Sequence, residues 1–293
     1  MHYKRYKSIL SPNNGMNLYR GCTHGCIYCD SRSRCYRMDH DFEDIEVKQD
    51  APEQLAQELM RKRKPCMIGT GAMCDPYMHI EEELQVTRRC LEVIYRFGFG
   101  LAIQTKSARI LRDLDLLRAI HKRAKCVVQM TLTTYDEALC RIVEPAVSTT
   151  RERFEVLMTL REAGIPTVVW LSPILPFLND TPENLLGLLD YCARAQVKAI
   201  LCFGFGMTLR DGDREYFYQK LDQFFPGLKQ RYVETFGNAY ECPSPHDAAL
   251  TTLLHAETKR LGILCGVDSV FDYMRTFESG HKDDTTVEQM SFL

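Results

Sequence analysis

Between residues 51 and 203 short apolar runs alternate with stretches whose apolar residues recur at helical spacing. Residues 65–69, 100–105, 126–132, 167–171 and 199–203 predict strands, rich in Val, Ile and Leu, and 15–21 predicts an earlier one. Residues 51–63, 81–97, 109–123, 149–163 and 182–195 predict helices. In the third of these Leu111, Leu114, Leu117 and Ile120 share one face. In the fourth, Ser148 or Thr149 opens the helix and Gly164 closes it. Strand, helix, strand in repetition means βαβ crossovers, hence an α/β fold with a parallel sheet. About six such units make a partial (β/α)6 TIM-like barrel, short of the eight that close one. Beyond Gly204 the pattern loosens into helices at 213–225, 228–236 and 246–261. The expected organisation is an N-terminal segment (1–14), a barrel core (15–206) and a helical C-terminal extension packed on it (207–293). Chemistry in such a fold belongs at the C-terminal ends of the strands.

Composition narrows the function classes. Hydrophobic residues form 45% of the 293, enough for a sizeable core, yet no apolar run reaches the roughly 20 residues of a membrane span. The first residues are basic but lack an apolar signal core, so the expected location is cytoplasmic, with no membrane partner. A net charge of −2 argues against coating nucleic acid by bulk electrostatics. Lys4, Arg5, Lys7, Arg20, Arg32, Arg34 and Arg37 still crowd the start, as a basic binding surface or as a solvated face. Thirteen cysteines, an odd number without an export signal, do not suit a disulfide framework. Cys126, Cys140, Cys192 and Cys202 each sit singly among apolar residues and read as core packing.

Only Cys22, Cys26 and Cys29 have ligand-like spacing. Two glycines, Gly21 and Gly25, let the chain turn sharply around one inorganic centre. Three thiolates on an iron–sulfur cube leave one iron open to a substrate or cofactor, whereas a purely electron-transferring cluster is normally closed by four. The competing reading is structural zinc, with Cys35, His24 or His40 as fourth ligand, in a zinc-stabilised nucleic-acid-binding module without catalysis. Zinc knuckles usually pair their cysteines in two separated sets; here there is one uneven triplet.

The triplet, with Tyr28 just before its last cysteine, resembles the signature of the radical S-adenosylmethionine (SAM) superfamily. Further runs resemble its spore photoproduct lyase-like branch: Asp75-Pro76-Tyr77, Thr105-Lys106-Ser107, Thr131-Leu132-Thr133-Thr134, Glu144-Pro145, Pro173-Ile174-Leu175-Pro176 and Cys242-Pro243-Ser244-Pro245. The resemblance implies a lyase-like radical enzyme. Cys22, Cys26 and Cys29 would bind a 4Fe-4S cluster whose fourth iron is chelated by S-adenosyl-L-methionine. Tyr28 would lie against the adenine, and Gly69, Thr70 and Gly71 would receive the methionine amino group. Lys106 would contact the cofactor's carboxylate or ribose, with Thr131 and Ser172 lining the same pocket. Reductive cleavage to a 5′-deoxyadenosyl radical would call for a reductant such as flavodoxin or ferredoxin, and the substrate would be unassigned, with nucleic acid one candidate. Cys74 is the candidate hydrogen donor, although it falls about two positions after the family's cysteine, where Ala72 stands.

Overall fold

The computed structural model describes residues 1–280; the last part of the expected extension, 281–293, lies outside the described residues. Seven parallel strands form the main sheet: β1 (Gly15–Met16), β2 (Met67–Thr70), β3 (Gly100–Thr105), β4 (Cys126–Thr131), β5 (Thr167–Trp170), β6 (Ala199–Leu201) and β7 (Leu264–Cys265). They lie side by side in chain order, and β1 and β7, at the two ends, do not pair with each other, as in a partial barrel.

The strands are two-faced because side chains alternate. Ile68, Leu101, Ile103, Cys126, Val128, Met130, Val169 and Ile200 point toward the crossover helices and merge with them into the main core. These helices are α1 (Ala51–Met60), α2 (Val86–Phe97), α3 (Leu114–Arg123), α4 (Thr150–Glu162) and α5 (Pro182–Arg194). Thr149 caps α4 in a capping box with Glu152, as its position in the sequence suggested. On the concave face Val127, Val168, Ala199 and Leu201 are covered by Val270 and Met274 of the helix Val267–Arg275. Further along the same strands that face turns polar. The registers Gly69↔Ala102, Gln104↔Gln129 and Thr131↔Trp170 place these residues in one lumen toward the C-terminal ends.

Several expectations change. The first strand, expected over 15–21, divides: Gly15–Met16 joins the main sheet, while Tyr19–Arg20 pairs antiparallel with Glu46–Lys48. Glu46–Lys48 pairs in turn with His2–Lys4 of the N-terminal segment. The helix expected over 81–97 breaks at Gln85, whose φ of 49° is left-handed, and that over 109–123 begins as a 3-10 turn at Ala108–Asp113. The extension is not purely helical. Its helices Asp213–Phe224, Leu228–Phe236 and Asp247–Leu261 form, but it also supplies β7 and the strand Glu241–Pro243, which pairs antiparallel with Gly206–Thr208. No helix of the described residues is long and apolar enough to cross a membrane.

Candidate cluster and cofactor site

The cysteine loop leaves the short strand Tyr19–Arg20 at Gly21 (φ +84°), where a Cβ would collide with the Phe42 carbonyl. The same carbonyl accepts from the Cys22 N–H at 3.0 Å. On the other side Ile27 N–H donates to the Val143 carbonyl (3.0 Å) and Ala146 N–H to the His24 carbonyl (3.1 Å). The loop is therefore fastened to two distant segments. Cys22 and Cys26 are buried, Cys29 is half-buried, and all three thiols are free. Burial pushes Cys26 up to about 12, and burial followed by the Asp75 carboxylate raises Cys22, with Cys26 and Cys29 adding to the effect. A cationic centre replacing their protons would reverse that balance.

Tetrahedral zinc with Zn–S of ~2.3 Å requires sulfurs about 3.8 Å apart. Among the described residues, triads of ligand atoms within 4.8 Å of one another occur at His2–His40–Asp44 and Asp39–His40–Glu46, and not at the three cysteines. A cube that gives each thiolate its own iron accommodates the wider arrangement. Of the candidate fourth zinc ligands, Cys35 and one nitrogen of His24 are engaged, while His24 Nε2 and His40 Nε2 have no hydrogen-bond partner. Cys35 accepts from Arg210 (3.1 Å) and Ser33 (3.3 Å), His24 Nδ1 faces Asp75 (3.5 Å), and His40 lies beside Glu46. The donor set fits an iron–sulfur cluster.

A buried polar network anchors the loop to the sheet. The Tyr28 hydroxyl donates to Glu144, and Glu144 pairs with Arg153; both charged groups are sealed from solvent. Arg153 also donates to the carbonyls of Thr131 (2.7 Å) and Ser148 (2.8 Å). Burial acts to raise the Glu144 pKa, but Arg153, Lys106 and the Tyr28 hydroxyl overcome it and hold the carboxyl below its ordinary value.

Asp75 organises the facing side. Its carboxylate accepts from Thr105 Oγ1 (2.7 Å), Tyr77 N–H (2.8 Å) and Lys106 N–H (2.7 Å) and faces His24. Lys106 follows β3 on the lumen side, with Nζ 5.9 Å from the centroid of the Tyr28 ring. Gly69 and Thr131 share that face, and Gln104 Nε2 reaches Thr131 Oγ1 at 3.5 Å. Nothing lies within 4 Å of where a Gly69 Cβ would be, whereas at Gly71 (φ +94°) a Cβ would strike the Gln104 carbonyl. Ser172, half-buried, stands two residues beyond Trp170, past the end of β5. Thr70 pairs with Ile103 on the opposite, helix-facing side, so its side chain is turned away from the others. Cys74 is buried in the main core, where its thiol donates to the Tyr19 carbonyl (3.0 Å) and burial pushes its pKa up to about 12.

Three participants had no role from the sequence: Asp75, Glu144 and Arg153. Arg153 carried a readable signal, since it shares a stripe of α4 with Leu157 and Leu160, where a cation needs a buried partner.

The Radical SAM superfamily model matches residues 16–192. Uncharacterized proteins of Mycobacterium tuberculosis and Mycobacterium bovis are 31% identical over 229 residues, which is 75% of this chain and 66% of theirs. An uncharacterized protein of Methanocaldococcus jannaschii is 30% identical over 174 residues, covering 59% of this chain and 64% of its own. The chain thus spans 66% of the length of the mycobacterial relatives. Among solved structures, a point mutant of spore photoproduct lyase aligns with a TM-score of 0.62 at 15% identity, over 85% of this chain and 74% of that one. A double mutant of the same lyase, with bound AdoMet and dinucleoside spore photoproduct, aligns with a TM-score of 0.59 at 15% identity, over 88% and 78%. With its family signature spread over more than half its length, on a parallel partial barrel with three free cysteines at the mouth, this chain belongs to the Radical SAM superfamily.

Proposed function

We propose that this chain is a radical SAM enzyme that holds a 4Fe-4S cluster on Cys22, Cys26 and Cys29 and binds S-adenosylmethionine in the lumen beside it. The observation that carries the reading is the free cysteine triplet, fastened on both sides and lying within the match to the Radical SAM superfamily model. When bound, the cluster and S-adenosylmethionine would together supply one-electron, hydrogen-abstracting chemistry at the lumen.

The chain's own residues bind, orient and shield. Lys106 sets its ammonium against the cofactor's carboxylate, and the open space over Gly69 receives the methionine end. Tyr28, its hydroxyl held by Glu144, offers a fixed ring to the adenine, while Thr131 and Ser172 provide hydroxyls on the lumen wall. The side chain of Thr70 has no part in this arrangement. Cys74, committed to a backbone carbonyl, acts as hydrogen donor only if the segment 71–74 turns its thiol outward. The electron comes from a small protein reductant such as flavodoxin or ferredoxin, in the cytoplasm.

Nucleic acid is the favoured substrate class. The aromatic residues at the mouth support it, with Trp170 and the 53% exposed Phe203 5.7 Å apart between ring centroids.

Anaerobic reconstitution, followed by S-adenosylmethionine and a strong reductant, should yield 5′-deoxyadenosine and a chain carrying about four irons per cluster. Changing Cys22, Cys26 and Cys29 to alanine should abolish both. Stoichiometric zinc at the triplet without iron would overturn the reading. Irradiated DNA tests the substrate class separately: unaltered lesions, alongside 5′-deoxyadenosine release, would place the substrate elsewhere.

A further inference from the structure

Resting on the nucleic-acid reading above, we propose that Gln129, Trp170 and Phe203 form a subsite for one unpaired, carbonyl-bearing base on the lumen wall of β4, β5 and β6. The strand registers build it. One row runs Gln104, Gln129, Val168 and Ala199 across four neighbouring strands, and the next runs Thr131, Trp170 and Leu201. Barrel interiors are normally filled in such layers by branched apolar side chains. Here Val168, Ala199 and Leu201 pack under Val270 and Met274, while the two amides stand outside that core. A half-paired amide in a packed interior carries a desolvation cost, which a ligand that accepts its hydrogen bond removes.

Donor chemistry fixes which way Gln129 points. The Trp170 indole can only donate, and its Nε1 donates to Gln129 Oε1 at 2.7 Å. The amide NH2 is thereby turned away from the indole nitrogen. Among the described residues it has no hydrogen-bond partner, and it is not sealed from solvent, so it opens on the lumen. A carbonyl on a ring stacked against the neighbouring aromatics can accept from it.

The aromatic side supplies that stack. The centroid of the Phe271 ring lies 6.2 Å from those of both Trp170 and Phe203, which closes the Trp170–Phe203 contact into a triangle whose most exposed member is Phe203. Beside it the exposed Arg275 sets its guanidinium 4.7 Å from the Phe271 centroid and makes no salt bridge among the described residues. Ring, donor and cation match the base, carbonyl and phosphate of a nucleotide. An aromatic amino-acid ring, by contrast, carries no carbonyl for Gln129 to read. The base must be unpaired, because stacking and edge recognition both need it free of a duplex.

The test uses the full chain, as purified and again after anaerobic reconstitution with S-adenosylmethionine. Trp170 is its one tryptophan, so the emission reports this wall. A single-stranded thymine tetranucleotide should quench that emission saturably in at least one of the two states. The same tetranucleotide without bases should bind roughly 5- to 150-fold more weakly, the range of one base stack. Phe203→Ala, at an exposed position, should weaken the thymine strand by a comparable factor. Gln129→Glu keeps an acceptor for the indole and removes the donor; it should leave the unliganded emission maximum in place and weaken the thymine strand roughly tenfold. Equal affinity for the two strands, or wild-type affinity in either variant, would overturn the subsite and leave the nucleic-acid reading standing. If neither strand binds in either state, both fall. Iron content and 5′-deoxyadenosine release take no part in these titrations, so the fate of the cluster reading stays separate.

Discussion

Replacing Arg153 by methionine preserves much of the side-chain volume and deletes the only cation paired directly with Glu144 among the described residues. The carboxylate then stays buried with the Tyr28 hydroxyl, a distant Thr133 hydroxyl (3.5 Å) and the Cys140 thiol (3.6 Å) as partners, and the carbonyls of Thr131 and Ser148 lose the Arg153 donors. Removing one member of a buried ion pair typically costs about 3–5 kcal/mol. At about 2–4 °C per kcal/mol in chains of comparable size, melting should fall by on the order of 10 °C. The double variant Arg153→Met with Glu144→Gln removes both charges and should regain about 1–3 kcal/mol of the loss, the coupling expected within one network. Because the network holds Tyr28, the single variant should also lose iron faster than wild type during anaerobic gel filtration, and the double variant less so. Thermal melts of all four members of the cycle measure the coupling. If Arg153→Met melts within about 2 °C of wild type, or the double variant is no better than the sum of the singles, the network is not what anchors the loop.

Gly71→Ala forces a left-handed φ of +94° on a side chain that meets the Gln104 carbonyl, and should cost roughly 3 kcal/mol or more in urea unfolding. Gly69→Ala enters open space and should unfold within about 0.5 kcal/mol of wild type while weakening S-adenosylmethionine binding in equilibrium dialysis; an unchanged affinity would remove Gly69 from the pocket. Lys106→Met should likewise weaken cofactor binding, by about tenfold for each 1.4 kcal/mol of lost interaction, and melting should show whether the fold is intact. Burial, with Asp30 nearby, pushes the Asp213 carboxyl from an ordinary 3.8 up to about 6. The folded chain therefore keeps a proton that the unfolded chain has shed between about pH 4 and 6, and this contribution to stability declines as pH rises through that window. Asp213→Asn should flatten that slope in melts taken across the window; a slope equal to wild type would refute the assignment.

The fold was legible where the elements were long enough to show a period. The strands β3 and β4, with six residues each, and the crossover helices declare themselves by alternation and by stripes such as Leu117 with Ile120. By contrast β1 and β7 have two residues each, too few for a period of two, and β7 sits between Gly262 and Gly266 in a region of helical pattern. The division of the first strand was hidden for a different reason. Tyr19–Arg20 leaves the main sheet because Glu46–Lys48 offers it a partner, a pairing no local pattern announces. At the site, spacing singles out the cysteines and the family resemblance names Gly69, Lys106 and Thr131, which the structure sets toward the C-terminal ends of neighbouring strands. Thr70 alternates with Gly69 along β2, so its side chain takes the opposite, helix-facing side. The Glu144–Arg153 pair joins the end of one helix to the first turn of the next, so its meaning emerges only once both are packed.

Strand length also sets a gradient of local stability across the sheet. Because neighbours follow chain order, each amide ladder depends on the two strands beside it, and the ladders shorten from six residues at the centre to two at either edge. Amide hydrogen exchange should therefore be slowest in β3 and β4 and fastest at Gly15–Met16 and Leu264–Cys265. On one side the rim that frays first is Gly15–Met16, which precedes the short strand Tyr19–Arg20 that enters the cysteine loop. A bound cluster, by holding that loop in place, should slow exchange at Met16 while leaving Leu264 unchanged.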